Sequence, residues 1–310
     1  MKTEIVSKEM KDGIAVYHLK RVRAFKDLQK MKSTRITQDH YDLIVDHDAD
    51  GYDAATGDLL FRFRKKLMPM EILMAGVDNY KHSVKPSNQR GDAAGGTKTD
   101  EKGNSGADDK MSGNVGYMDP GARTRYCRLT GFGRDHFDTY FKQGRPFVEY
   151  IDEKYKELCP EHHRRQLNTA NETNANYVLW DTAFSTITVN RNFRTFIHQD
   201  DGDHPEGFGN LFVYREGDWK RGYFVLPGWS VGIDMQNQDM LFVDVHRFHG
   251  NDNCELDGEE TEFDAFEDDL GGPNLRMSFV LYYRTGLRPC KSPKEQVEYF
   301  QQRKSGYMRL

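Results

Sequence analysis

Cysteine is scarce, and the four that occur (Cys127, Cys159, Cys254 and Cys290) form no C-x-x-C pair. That argues against a zinc site and suits free thiols in a reducing compartment. Long hydrophobic runs are missing as well: none approaches the length that crosses a bilayer, and the opening MKTEIVSKEMKDG lacks the apolar stretch of a secretory signal. The chain is therefore expected to be intracellular, in cytoplasm or nucleus, with no membrane partner, and to act as a monomer. What is abundant is charge, at 30% of residues with a mean hydropathy of -0.82, which describes a highly soluble surface. The 19 Phe and 16 Tyr still supply a core, and 310 residues suffice for one sizeable core with appendages or for two small domains.

The net charge of -5 is unevenly spread. Ten acids and no Lys or Arg lie between Asp252 and Asp269, and the rest of the chain carries a net +5 without them. The remainder is thus basic enough for phosphate contacts, though without a strong electrostatic footprint. The acidic stretch itself reads as a solvated loop joining two strands.

Four segments are expected. Residues 1–84 form an N-terminal extension; its first 40 give no firm pattern, and from Tyr41 it reads as strand, turn, strand. Asp46, Asp48 and Asp50 copy the start of a calcium loop, but Gly57 stands where the bidentate Glu belongs. Residues 85–112 hold almost no large apolar side chain and read as a flexible loop. Residues 113–290 form the main domain. Within it, Arg134 to Leu158 has helical spacing broken at Gly144 and Pro146, and from Tyr177 short β runs follow one another. Residues 291–310 are a polar tail. The predicted fold is α+β, mainly β, with a double-stranded β-helix (jelly roll) core and supporting helices.

The chemistry concentrates in three places. His198 and Asp200 are two residues apart in FIHQD, so on an extended strand both side chains face one side and can chelate one ion. A third ligand has to return from a distant strand, and DMLFVDVHRFHGN offers His249, at the end of the run before a Gly-Asn turn, ahead of His246 inside it. Two imidazoles and one carboxylate on one face of a metal are the ligand set of non-heme Fe(II) oxygenases, leaving positions for a co-substrate and dioxygen. Arg276, at the start of the apolar strand RMSFVLYYR, has the planar fork that grips a carboxylate at the closed end of such a barrel.

The iron motif, the Arg-x-Ser-Phe strand and the run from Gly113 to Phe137 (GNVGYMD…CRLTGFGRDHF) resemble the 2-oxoglutarate and Fe(II)-dependent dioxygenases of the TET/JBP family, most closely its viral and algal branch. The resemblance covers roughly residues 85 to 290 and implies hydroxylation of the C5 methyl group of 5-methylcytosine or thymine in DNA, in a base flipped out of the duplex. It implies Fe(II) on His198, Asp200 and His249, and 2-oxoglutarate on Arg276 with Asn190 beside it. Arg90, Asn114, Arg128, Arg194 and Asp203 are the substrate-binding candidates. An acid close after the iron dyad, here Asp203, is a feature of an algal relative that uses ascorbate, so an ascorbate-type co-substrate is the alternative. A protein side chain or small metabolite is the alternative substrate, and a viral origin would fit the same branch.

Overall fold

The computed structural model describes residues 2–87, 90–96, 110–121, 126–266, 274–298 and 301. The chain begins with a hairpin, β1 (Glu4–Lys11) and β2 (Ile14–Lys20), followed by α1 (Phe25–Lys30), β3 (Leu43–Val45), β4 (Ala49–Asp53) and β5 (Leu59–Arg64). Next come α2 (Met70–Tyr80), β6 (Lys85–Ser87), β7 (Lys110–Met118), β8 (Arg128–Leu129), α3 (Gly131–Asp135), α4 (Arg145–Leu158) and α5 (Pro160–Glu172). The rest is strand-rich: β9 (Thr186–Arg191), β10 (Gly209–Glu216), β11 (Trp219–Arg221), β12 (Phe224–Leu226), β13 (Val231–Ile233), β14 (Met240–Val243), β15 (Gly250–Asn251), β16 (Cys254–Leu256), β17 (Glu259–Thr261) and β18 (Leu275–Tyr282).

These strands make the two facing sheets of a double-stranded β-helix. The large one runs β1-β2-β4-β5-β14-β10-β18-β9-β7-β6, with β8 on β7, and the small one runs β15-β12-β13-β3. The N-terminal residues contribute to both, since β5 pairs with β14 and β3 lies parallel to β13. β11, β16 and β17 form a third, three-stranded sheet.

Period-two alternation sorts the large sheet into two faces. On β18, Met277, Phe279 and Leu281 join a core under the helices, while Arg276, Ser278, Val280 and Tyr282 line a cavity between the sheets. On β9, Ile187 and Val189 go to the core, and Thr188 and Asn190 to the cavity. Phe147 of α4 seals the helix side, its ring 5.7 Å from Phe212 and 5.5 Å from Phe279. Truncating such a buried ring to Ala costs about 3–5 kcal/mol. α4 starts where Pro146 fits, in a first turn whose N–H groups have no helical partner anyway.

Three expectations need revision. Cys127 and Cys290 are not free thiols; they form a disulfide with Cα atoms 6.2 Å apart, while Cys159 and Cys254 are free and buried. A sequence separation of 163 leaves no local spacing by which that pair could be seen. Part of the segment read as a flexible loop is ordered: Lys85–Ser87 pairs with β7, and Ala93 and Ala94 are buried; residues 88–89 and 97–109 lie outside the described ones. The acidic stretch is folded through Phe266, with residues 267–269 outside the described ones. Among the described residues no helix is long and apolar enough to cross a membrane.

Candidate metal centre

His198 and His249 sit on two segments joined by reciprocal backbone hydrogen bonds, each N–H donating to the other's carbonyl at 2.9 Å. Gly250 permits this approach, because a Cβ there would lie 2.9 Å from the Phe196 carbonyl oxygen. Each ring is turned by its own Nδ1, which lies 2.7 Å from the Phe196 carbonyl in His198 and 2.9 Å from the Arg247 carbonyl in His249. With Nδ1–H donating to a carbonyl, the lone pair of Nε2 is left facing inward. Asp200, whose N–H donates to the Val245 carbonyl, meets both: its carboxylate oxygens are 3.7 Å from His198 Nε2 and 3.6 Å from His249 Nε2. One donor atom from each of the three residues lies within 4.8 Å of the others.

The electrostatics suit a cation. Burial, then the neighbouring His249, push the His198 pKa down to about 4, so the ring is neutral near pH 7, as a ligand must be. Burial opposes ionisation of Asp200, but His198, His249 and Arg90 outweigh it and hold the carboxyl below its ordinary range. His246 does not join the cluster. Its Nδ1 pairs with Asp244 at 3.1 Å, and this hydrogen bond raises its pKa.

The centre opens into a cavity of about 260 Å³ lined by Arg276, Asn190, Arg90, Asp203, Thr188, Tyr282 and Arg284, among others. Arg276 is 4% exposed, its Nη1 is buried without a hydrogen-bond partner, and among the described residues no acid pairs with it. Burial and the nearby Arg215 push its pKa down to about 10. A buried, unpaired guanidinium is costly unless an anion arrives to meet it. A triad of two imidazoles and a carboxylate beside such a cation fits a divalent metal with a carboxylate-bearing co-substrate.

The other sequence candidates divide. Asn190 lies in the wall, accepting from Ser112 Oγ at 2.8 Å and donating to Ser278 Oγ at 3.4 Å. Arg90 reaches the cavity over the Phe193 ring, with its Nε buried and unpartnered. Asp203 faces the same space; burial and the adjacent Asp200 raise its pKa well above the usual range. Asn114 stands one strand behind, accepting from Thr188 Oγ1 at 3.1 Å. Arg128 and Arg194 do not reach the cavity. Arg128 donates to the carbonyls of Asp119 and Tyr126, and Arg194 is drawn off by Glu262 and the Ile36 carbonyl. Tyr282 and Thr188 were not foreseen as cavity residues, although counting in twos from Arg276 and Asn190 reaches both.

Residues 115–285 match the family model Tet_JBP, the oxygenase domain of the 2OGFeDO superfamily. The bifunctional helicase and thymine dioxygenase JBP2 of Trypanosoma brucei brucei is 32% identical over 186 residues, covering 59% of this chain and 16% of that protein. The thymine dioxygenase JBP1 of Trypanosoma brucei brucei is 32% identical over 166 residues, covering 53% of this chain and 18% of that one. The chain thus spans less than a fifth of the length of these relatives. Among solved structures, NgTET1 in complex with 5mC DNA aligns with a TM-score of 0.55 over 90% of this chain and 100% of that one, at 13% identity, a likeness of fold.

Proposed function

The chain belongs to the Tet_JBP family of 2OGFeDO oxygenase domains, and from that premise we propose that it is an Fe(II) and 2-oxoglutarate-dependent dioxygenase that hydroxylates the C5 methyl group of thymine or 5-methylcytosine in DNA. The observation that carries the reading is the coincidence, in one cavity, of the His198, Asp200 and His249 donors with the unpartnered Arg276 guanidinium. The 32% identity to thymine dioxygenases supports a pyrimidine methyl as the target.

His198, Asp200 and His249 hold the iron; Arg276 takes the distal carboxylate of 2-oxoglutarate, with Asn190 beside it. Bound iron, with dioxygen and 2-oxoglutarate, supplies the oxidising power that an unactivated methyl C–H requires, one oxygen atom entering the methyl group and the other leaving in succinate as carbon dioxide is released. The protein's part is orientation. The two backbone carbonyls hold the imidazole tautomers, and the aliphatic lining from Val213, Val245 and Val280 keeps water from the reacting carbon. A methyl group stacked within a duplex cannot enter a cavity of this size, so the base is flipped out, and Arg90 and Asp203 provide donor and acceptor groups for its edge. Arg128, Arg194 and Asn114 serve from behind, holding the segments that shape the cavity. A DNA substrate puts the protein in an intracellular compartment that holds DNA.

Mass spectrometry of nucleosides after incubation with Fe(II), 2-oxoglutarate and thymine- or 5-methylcytosine-containing DNA tests the reading. A hydroxymethyl product that disappears in Asp200→Ala is expected, while full activity in that variant overturns the iron assignment. His249→Ala should lose 2-oxoglutarate decarboxylation, and His246→Ala should retain it. Turnover with ascorbate in place of 2-oxoglutarate would move the co-substrate assignment.

A further inference from the structure

What lies against Arg276 is an aromatic ring. Its guanidinium carbon is 5.3 Å from the centroid of Phe263. That ring belongs to the acidic segment, which is not a solvated loop at this point: Phe263 is fully buried, and with Phe266, Trp219 and Cys254 it makes a small core of its own. The segment is fixed on several sides. β16 and β17 pair with each other, and β16 pairs with β11. Arg221 holds Asp252 through Nε and Nη2 at 2.9 Å each and Glu260 at 3.1 Å. Glu262, next to Phe263, accepts from Arg194 at 2.7 Å and from Arg35.

The arrangement solves a specific problem. A guanidinium that must grip a ligand's carboxylate has to be held in place without spending its N–H donors, and a protein acid would both spend them and compete with the ligand. A π face attracts the cation and leaves the donors free. Glu262, the residue before the ring, is meanwhile occupied by Arg194 and Arg35. The neighbouring Arg215 also rests on a ring, its guanidinium carbon 3.7 Å from the Trp219 centroid, but its donors are spent on the Met235 and Trp219 carbonyls, which Arg276's are not.

We infer that Phe263, in the folded part of the acidic segment that ends at Phe266, is a positioning residue that backs Arg276 and presents it to the distal carboxylate of a 2-oxo dicarboxylate. The inference rests on the dioxygenase reading above. Phe263→Leu keeps apolar bulk but removes the π face. It should raise the KM for 2-oxoglutarate about 2- to 30-fold, leave kcat at saturating 2-oxoglutarate and Mn(II) affinity unchanged, and be rescued by Phe263→Tyr. Phe263→Met is the second variant should the Leu form fail to fold, with the same rise expected. A KM within experimental error of wild type in these variants, or an equal fall in kcat and Mn(II) affinity, overturns the positioning role. The two readings fail differently. Wild-type turnover that does not depend on 2-oxoglutarate, or an Arg276→Ala form with unchanged dependence, overturns both. A collapse in Arg276→Ala alongside an unchanged Phe263→Leu overturns this inference alone.

Discussion

Arg276 near the start of β18 and Arg284 two residues past its end line the same cavity, yet their surroundings are opposite. Arg284 donates to Asp119 Oδ1 at 2.9 Å and to the Tyr282 hydroxyl at 3.1 Å, and its backbone bridges to Asp203. Burial opposes its charge, but Tyr282, Asp119 and Asp203 hold its pKa above the usual range. Arg276 has burial and Arg215 against it and no described carboxylate in its favour. The protein completes one arginine from its own groups and leaves the other for a guest. On the proposed reading the first is architecture and the second a receptor for the co-substrate's carboxylate.

The largest effect that would test this contrast is on co-substrate binding. Arg276→Lys keeps the charge but loses the two parallel donors; losing a charge-assisted hydrogen bond in a desolvated pocket costs about 1.5–3 kcal/mol, and about 1.4 kcal/mol is tenfold in affinity. Steady-state kinetics should show the KM for 2-oxoglutarate rising roughly tenfold or more, and Arg284→Lys should leave it near wild type. Next in size is stabilisation by ligand. With Mn(II) bound, 2-oxoglutarate at a hundred times its Kd should stabilise the wild type by about 2.7 kcal/mol, visible as a raised Tm. Arg284→Met should keep that increment and Arg276→Met should lose it.

The ligand-free Tm should then separate the two arginines by sign. Arg276→Met removes an unpaired buried charge and should be neutral or stabilising. Arg284→Met strands Asp119 and should destabilise by about 1–2 kcal/mol; a loss of Tm in Arg276→Met larger than in Arg284→Met would break the comparison. The smallest effect is expected from Asp119→Asn, which keeps a hydrogen bond to Arg284 but loses the ion pair. Both partners are partly exposed, so the cost should be within about 1 kcal/mol, read as a shift in denaturation midpoint.

The His198, Asp200 and His249 cluster was legible because its signal is local: His198 and Asp200 two residues apart, His249 just before a Gly-Asn pair, and Arg276 at a strand start. The family match over 115–285 falls inside the stretch of roughly 85 to 290 that the resemblance covered, and the jelly roll follows from the same β runs. The β1–β2 hairpin was illegible for the opposite reason. All eight residues of β1 are exposed, so no buried stripe marks it in the sequence. Phe263 and Phe266 were hidden among the ten acids, whose solvation is the natural expectation when the partners Arg35, Arg194 and Arg221 all lie far away in the chain. Arg128 and Arg194 were candidates by position alone, and position does not reveal which carbonyl or carboxylate claims a guanidinium first.

The paired backbone hydrogen bonds between His198 and His249 tie the two histidine segments together by contacts that require no metal. An ion at the proposed centre should therefore drive no folding, unlike the metal-dependent collapse of a zinc finger, so stripping with a chelator should leave the fold's spectrum intact and activity restorable. A finished cage also has little means of refusing the wrong guest. Cobalt, nickel and copper bind nitrogen and oxygen donors more tightly than ferrous iron does, so which ion occupies the centre is decided by what the surroundings supply, and traces of the later metals should act as inhibitors that iron displaces only slowly.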